Sequence, residues 1–264
     1  MSDLYIIKIG GHVIDREEAL SEFLAQLSRI EGKKILVHGG GKTASAISEK
    51  LGILPQVIEG RRITDAETLK VATMVYAGWI NKNIVSKLQG LRCNAIGICG
   101  ADGMAITATK RKSSKIDYGF VGDITEASIH SQFFCELLER EFLPVVSPIT
   151  ADAGGQLLNT NADTIAATLS AALAKKFRVH LLYCFEKNGV LENPEDENTV
   201  IPKLTPAVFA QFKEQGIISG GMIPKLENAI GAIEKGVTIV KLIHFSRLEK
   251  SIQLNTHEGT EISY

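Results

Sequence analysis

The sequence predicts an α/β fold in which a central, mostly parallel sheet is covered by helices on both faces, a three-layer sandwich. Two observations carry this. Short apolar runs of strand character alternate with amphipathic helical stretches almost from end to end. Two of the early runs, Leu4-Tyr5-Ile6-Ile7-Lys8-Ile9 and Lys34-Ile35-Leu36-Val37, lead into glycines, Gly10-Gly11 at once and Gly39-Gly40-Gly41 after His38. A strand that ends in glycine before a helix lets backbone N–H groups approach a ligand, and the helix adds its positive end.

The elements follow in order. Residues 4–9 form the first strand. Glu17 to Ile30 places Ala19, Leu20, Phe23, Leu24, Leu27 and Ile30 at helical spacing and stops at Gly32. After the strand 34–37, a helix runs from Thr43 to Leu51 and closes at Gly52. Thr64, three residues before Glu67, reads as a capping box opening a helical stretch to Gly90. Strands are expected at 93–98, 104–109, 120–124 and 142–146, with a helix over 128–140 between the last two. Asn161–Lys175 is a helix, 178–184 a strand, 205–215 and 221–235 helices, and 237–243 a strand. A lobe boundary is expected between 176 and 177.

Bulk properties exclude several classes. The chain has 264 residues, 45% hydrophobic and 22% charged, with a formal net charge of -1. No basic stripe marks a nucleic-acid binder, and no apolar segment is long enough to cross a bilayer. Four cysteines lie scattered without a C-x-x-C pair. With no signal peptide in view, a reducing cytoplasm is expected.

The loop His38-Gly39-Gly40-Gly41-Lys42-Thr43 lacks the upstream glycine of a P-loop, since Leu36 stands there. It does match a dinucleotide fingerprint through Gly39, Gly41 and Ala44, with Glu59 about 20 residues on as a ribose-binding acid, so an NAD-dependent dehydrogenase stays open. Lys8 lies near the carboxyl end of an otherwise apolar strand, where ligands collect in open α/β sheets. Asn159, Asn161 and Asp163 would align if extended; Asn161 and Asp163 equally suit a helix cap and first turn. In Ser219-Gly220-Gly221-Met222-Ile223-Pro224-Lys225, the proline fits a first helical turn, and Lys225 can reach back toward the helix start.

Lys8, Lys225, Asp163 and three glycine-rich loops suit phosphoryl transfer, which needs positioning and positive charge above all. No base accompanies the lysines. A carboxylate acceptor needs none, being ionised at neutral pH. Asp163 between the lysines would orient them and keep them protonated. Arg62 offers a planar fork for a second carboxylate.

Lys8-Ile9-Gly10-Gly11, His38-Gly39-Gly40-Gly41, Gly60-Arg61-Arg62-Ile63-Thr64, Asn159-Thr160-Asn161-Ala162-Asp163, Gly220-Gly221-Met222-Ile223-Pro224-Lys225 and the terminal Gly259-Thr260-Glu261-Ile262 stand in an order and spacing that resemble the amino acid kinase family, in its branch that phosphorylates N-acetyl-L-glutamate. The resemblance runs nearly end to end. It implies an amino lobe, 1–176, for amino-acid binding and dimerisation, and a carboxyl lobe, 177–264, for ATP with Mg2+ held mainly by the phosphates. It implies catalytic roles for Lys8, Lys225 and Asp163, and substrate binding by Gly40, Gly41, Arg62, Asn159 and Asn161. Gly10, Gly11, Glu186, Gly189, Ser219, Gly220 and Gly221 would contact the nucleotide, and no residue would bind a metal directly. The implied reaction forms an acyl phosphate on the side-chain carboxylate, the second step of arginine biosynthesis.

One departure stands out. Phe185-Glu186-Lys187-Asn188-Gly189-Val190 replaces the family's Thr-Asp-Val-x-Gly-Val. No added amino-terminal helix precedes Leu4, which by resemblance suggests a homodimer without arginine feedback. An N-succinylglutamate kinase, a sister amino acid kinase and a non-catalytic amino-acid sensor are the remaining alternatives.

Overall fold

The computed structural model describes residues 1–264 except 55, 59–60, 115, 253–257 and 264, with 57–58 and 61–62 described by backbone alone. The first strand, β1 (Asp3–Ile9), is apolar on both sides, as a strand inside a doubly covered sheet must be. It leads through α1 (Gly11–Ile14) to α2 (Glu17–Arg29), whose Glu17 and Glu18 at one end and Arg29 at the other complement the helix dipole. β2 (Lys33–His38) and α3 (Gly41–Lys50) repeat the strand–glycine–helix pattern.

A short hairpin, β3 (Val57–Ile58) and β4 (Arg61–Arg62), precedes α4 (Ala66–Thr73). The expected Thr64 cap is corrected here. Asp65 is the N-cap, accepting the Thr68 N–H at 2.8 Å, because Thr64 is buried and its hydroxyl accepts from the Asn159 amide at 3.1 Å. The helix continues through a π-helical stretch, Met74–Ile80, into α5 (Asn81–Gly90).

After β5 (Ala95–Ile98), the expected strand 104–109 shrinks to its end. Asp102–Met104 is a 3₁₀ turn, with Gly103 and Met104 at φ 59° and 49°, and only Thr109 enters the two-residue β6 (Thr109–Lys110), which pairs with β7 (Gly122–Asp123). The helix expected from 128 starts later, as α6 (Ser131–Glu139), because Thr125 and Ser128 close a separate 3₁₀ turn. β8 (Leu143–Val146) is followed by an unexpected antiparallel hairpin, β9 (Ile149–Ala151) and β10 (Leu157–Asn159). The carboxyl part comprises α7 (Ala162–Leu173), β11 (Arg178–Phe185), β12 (Lys203–Leu204), α8 (Pro206–Glu214), α9 (Met222–Glu234), β13 (Ile239–His244), α10 (Leu248–Ile252) and β14 (Thr260–Ile262).

Eight strands form one sheet in the order β12-β14-β13-β11-β1-β2-β8-β5, parallel except between β13 and β14. The sheet crosses the 176–177 connection through seven residue pairs between β1 and β11. Leu4 and Ile6 join one apolar layer with α6, α7 and α9; Ile7 and Ile9 join the other with α2, α4 and α5. Strand alternation therefore turns Lys8 toward the α7–α9 layer.

Candidate active site

Lys8 is the last residue on its face of β1, and its pairing partners are Tyr183 on β11 and Val37 on β2. It stands where the carboxyl ends of three parallel strands meet two helix starts. On one side, Asn161 caps α7 by accepting the Thr164 N–H at 3.0 Å, which places Asp163 in the first helical turn. The extended alignment of Asn159, Asn161 and Asp163 does not form: Asn159 ends β10 and Asp163 is already helical. On the other side, Gly221 is the N-cap of α9 and Lys225 lies in its first turns.

The two lysines converge on one carboxylate. Lys8 Nζ lies 2.6 Å from Asp163 Oδ1, and Lys225 Nζ donates to Asp163 Oδ2 at 2.9 Å. Burial acts to raise the Asp163 carboxyl, but the two ammonium charges and their hydrogen bonds overcome it and hold the group well below the usual carboxylate range. Burial, with the neighbouring Lys225 charge, pulls Lys8 below an ordinary lysine, and Asp163 opposes that pull. The result is a pre-arranged pair of positive charges fixed by one anion.

The glycine loop closes the opposite wall. Gly40 has φ 141°, and a Cβ there would lie 2.2 Å from Ile80 Cδ1, at the end of the π-helical stretch. Beneath the loop, His38 is fully buried and burial lowers its pKa to about 4. Its Nδ1 lies 2.9 Å from the Gly39 carbonyl, and its Nε2 lies 3.1 Å from the Asn81 amide nitrogen, which also donates to Val145 O at 2.9 Å. A neutral imidazole with its proton on Nδ1 satisfies both contacts.

A cleft of about 430 Å³ brings together Lys8, Gly11, Gly40, Gly41, Asn159, Asn161 and Asp163 of the expected residues, and Lys225 joins them through Asp163. Gly10 adjoins it, its N–H bonded to Cys184 O at 3.3 Å. Ser219, Gly220 and Gly221 are exposed at the start of α9. Glu186 is exposed and outside the cleft lining. Gly189 is buried, and a Cβ there would lie 2.8 Å from Thr260 Oγ1 of β14. The backbone of Arg62 lies in β4; its side chain, like Glu59, falls outside the described residues.

Two cleft features, and one side chain buried behind the cleft, escaped the sequence reading. Arg111, just past the end of β6, reaches Asp123 of β7 and lines the cleft with it as an ion pair, its Nε 3.0 and 3.1 Å from the two carboxylate oxygens. Asn228 of α9 also lines it. Tyr183, fully buried behind Lys225, had one available signal: it is the residue of β11 with a hydroxyl, paired with Lys8 in register.

Residues 3–244 match the model of the amino acid kinase family. The chain is 50% identical over 263 residues to the acetylglutamate kinase of Cytophaga hutchinsonii, covering 99% of each. It is 52% identical over 237 residues to that of Phocaeicola vulgatus, covering 90% of this chain and 91% of the relative. Among solved structures, the N-acetylglutamate synthase of Neisseria gonorrhoeae complexed with coenzyme A and N-acetyl-glutamate superposes with a TM-score of 0.83 at 19% identity, over 99% of this chain and 59% of the larger one, a likeness of fold. With the family model spanning most of the sequence and close relatives matched nearly end to end, the chain belongs to the amino acid kinase family.

Proposed function

We propose that this protein is an ATP-dependent kinase that phosphorylates the side-chain carboxylate of N-acetyl-L-glutamate, the second step of arginine biosynthesis. The observation that carries this reading is the convergence of Lys8 and Lys225 on Asp163 at the rim of the glycine loops. The acceptor carboxylate is anionic at neutral pH and attacks the γ-phosphorus of ATP without a base. As its oxygen bonds to phosphorus, the bond to the β–γ bridging oxygen breaks and ADP leaves. Charge on the migrating group is met by the two ammoniums, already desolvated and aimed. Asp163 holds them apart and in place rather than accepting a proton. Gly40 and Gly41 offer backbone N–H groups to the acceptor side.

Residues 1–176 serve the amino acid and 177–264 the nucleotide, with Gly10, Gly11 and the Ser219–Gly221 turn facing the phosphates. Glu186 and Gly189 would border the nucleoside, and Arg62 and Asn159 would bind the substrate's α-carboxylate. The donor set fits phosphate better than a bare metal. Both Asp163 oxygens are taken by lysines, and no cluster of three His, Cys, Asp or Glu occurs among the described residues. Mg2+ would therefore arrive on ATP, where it neutralises phosphate charge.

The protein works as a homodimer in the cytoplasm. Trp79 and Met74, large apolar side chains 66% and 58% exposed on the long helix, support the dimer, which a light-scattering mass would test. No described helix is long and apolar enough to cross a membrane.

A hydroxylamine trap tests the activity: the purified protein with MgATP and N-acetyl-L-glutamate yields the hydroxamate, and Lys8→Ala yields far less. Substrate binding without hydroxamate would instead indicate a sensor. One observation favours a second reading of the acyl cap. Arg111 in the cleft wall could meet an added carboxylate, as in N-succinylglutamate, and relative kcat/KM for the two substrates decides between them.

A further inference from the structure

We propose that Tyr183 is a positioning residue of the phosphoryl-transfer site, its ring seating the Lys225 ammonium and its hydroxyl anchoring the helical turn that carries Asp163. The inference rests on the kinase reading above and assigns a role to a side chain outside it.

Tyr183 pairs directly with Lys8 across β1 and β11 and points into the same layer. Its companions on that face of β11 are Val179, Leu181 and Phe185, none with a polar atom on the side chain. A hydroxyl buried there costs stability unless it is bonded. Tyr183 directs its hydroxyl to the Asp163 carbonyl oxygen at 3.2 Å. That carbonyl sits in the first turn of α7, so the bond ties the turn to the sheet at the residue whose carboxylate holds both lysines.

The ring acts on the other partner. Lys225 Nζ stands 5.2 Å from the ring centroid, within the range of attraction between a cation and an aromatic face. The ammonium is thus bracketed, with the Asp163 carboxylate at 2.9 Å on one side and the π face on another. An ammonium carries three N–H bonds. One is spent on Asp163, and the bracket leaves the rest to meet an incoming anion. An aliphatic side chain would fill the same space but would exert no pull on the charge. Burial also drives the Tyr183 phenol well above its ordinary pKa, so it stays a neutral donor throughout the working range.

The test compares Tyr183→Phe and Tyr183→Leu in the full-length enzyme, reading kcat and KM by hydroxamate formation and the Lys225 ε-proton shifts in lysine-labelled protein, assigned with Lys225→Arg. Loss of the ring should lower kcat about two- to tenfold in Tyr183→Leu, with KM for N-acetyl-L-glutamate unchanged. The Lys225 ε-protons should be shifted upfield by the ring in the wild type and in Tyr183→Phe, and should return to ordinary values in Tyr183→Leu. Tyr183→Phe, which keeps the ring but loses the bond to the Asp163 carbonyl, should lower kcat less than Tyr183→Leu and melt earlier than the wild type; wild-type melting of Tyr183→Phe would overturn the anchoring role. Ordinary ε-proton shifts in the wild type would overturn the proposal, as would a Tyr183→Leu enzyme that melts earlier yet keeps full kcat. Should Tyr183→Leu fail to fold, the wild-type and Tyr183→Phe shifts still decide. Absence of hydroxamate from the wild type would count against the kinase reading, while the shifts would still report on the Tyr183–Lys225 contact.

Discussion

The ammoniums of Lys8 and Lys225, from opposite ends of the chain, each take one oxygen of a single carboxylate, at 2.6 and 2.9 Å. Neither lysine can be repositioned without disturbing the other, because Asp163 is their common fixed point. The parallel sheet makes this possible: β1 and the α7–α9 layer meet at one strand end although their residues are far apart in sequence.

Removing either positive charge should therefore act on the chemical step. Lys8→Ala and Lys225→Ala are each expected to lower kcat by about 10²–10³, the scale of losing one preorganised transition-state contact. Steady-state kinetics by the hydroxamate assay measures this, with circular dichroism to confirm an unchanged fold.

Asp163→Asn leaves the buried Lys8 ammonium and the half-buried Lys225 ammonium without their counter-ion, a change of the kind that costs about 3–5 kcal/mol. The cost should depend on acid pH. The Asp163 carboxyl titrates lower in the folded state than in the unfolded one. Its contribution is fully present above the unfolded carboxylate pKa of about 4 and fades as pH falls toward the folded value. Urea midpoints of wild type and Asp163→Asn should differ most near neutrality and converge below about pH 4.

His38 should govern a different window. Its pKa falls from the ordinary 6.5 to about 4 on folding. Between those values the unfolded chain binds more protons, so stability is complete above about pH 6.5 and declines on acidification, by about 3 kcal/mol at pH 4. His38→Gln should flatten this decline in urea titrations between pH 4 and 7. Asn81→Ala, which strips Nε2 and the Val145 carbonyl of their donor, should cost about 1–3 kcal/mol at neutral pH.

The glycine loop offers a contrast within two residues. An added methyl at Gly40 would lie 2.2 Å from Ile80 Cδ1 with φ at 141°, whereas at Gly41 nothing lies within 4 Å. Gly40→Ala should lower the melting temperature and raise KM for the amino acid several-fold. Gly41→Ala should melt like the wild type, so any kinetic change would report on the ligand alone.

Much of this was legible in the residues because it rests on local rules. Strand–glycine–helix transitions at Gly10 and Gly39, the Asn161 cap and the first-turn position of Pro224 all follow from backbone chemistry within a few positions. Order and spacing of motifs then placed Lys8, Asp163 and Lys225 together. What escaped depends on contacts distant in sequence. Thr64 lost its expected capping role to Asp65 because Asn159 engages its hydroxyl. The β9–β10 hairpin is only three residues a side, too short for a clear alternation, and β6–β7 is only two. Without that pairing, the approach of the Arg111 side chain to Asp123 had no signature. Tyr183 read as an ordinary member of an apolar strand until the register set it beside Lys8, and Asn81 as a plain helix residue until its amide met His38.

The neighbours of β1 carry a consequence for biogenesis. Asp3 leaves the ribosome well before Arg178, its register partner. At about 5–20 residues per second, the interval before that partner emerges is on the order of ten to thirty seconds. During that time the nascent strand Leu4–Ile9 can pair with β2 on one edge only. Its other edge stays open until β11 emerges, so this segment is the part of the sheet exposed to mispairing during synthesis.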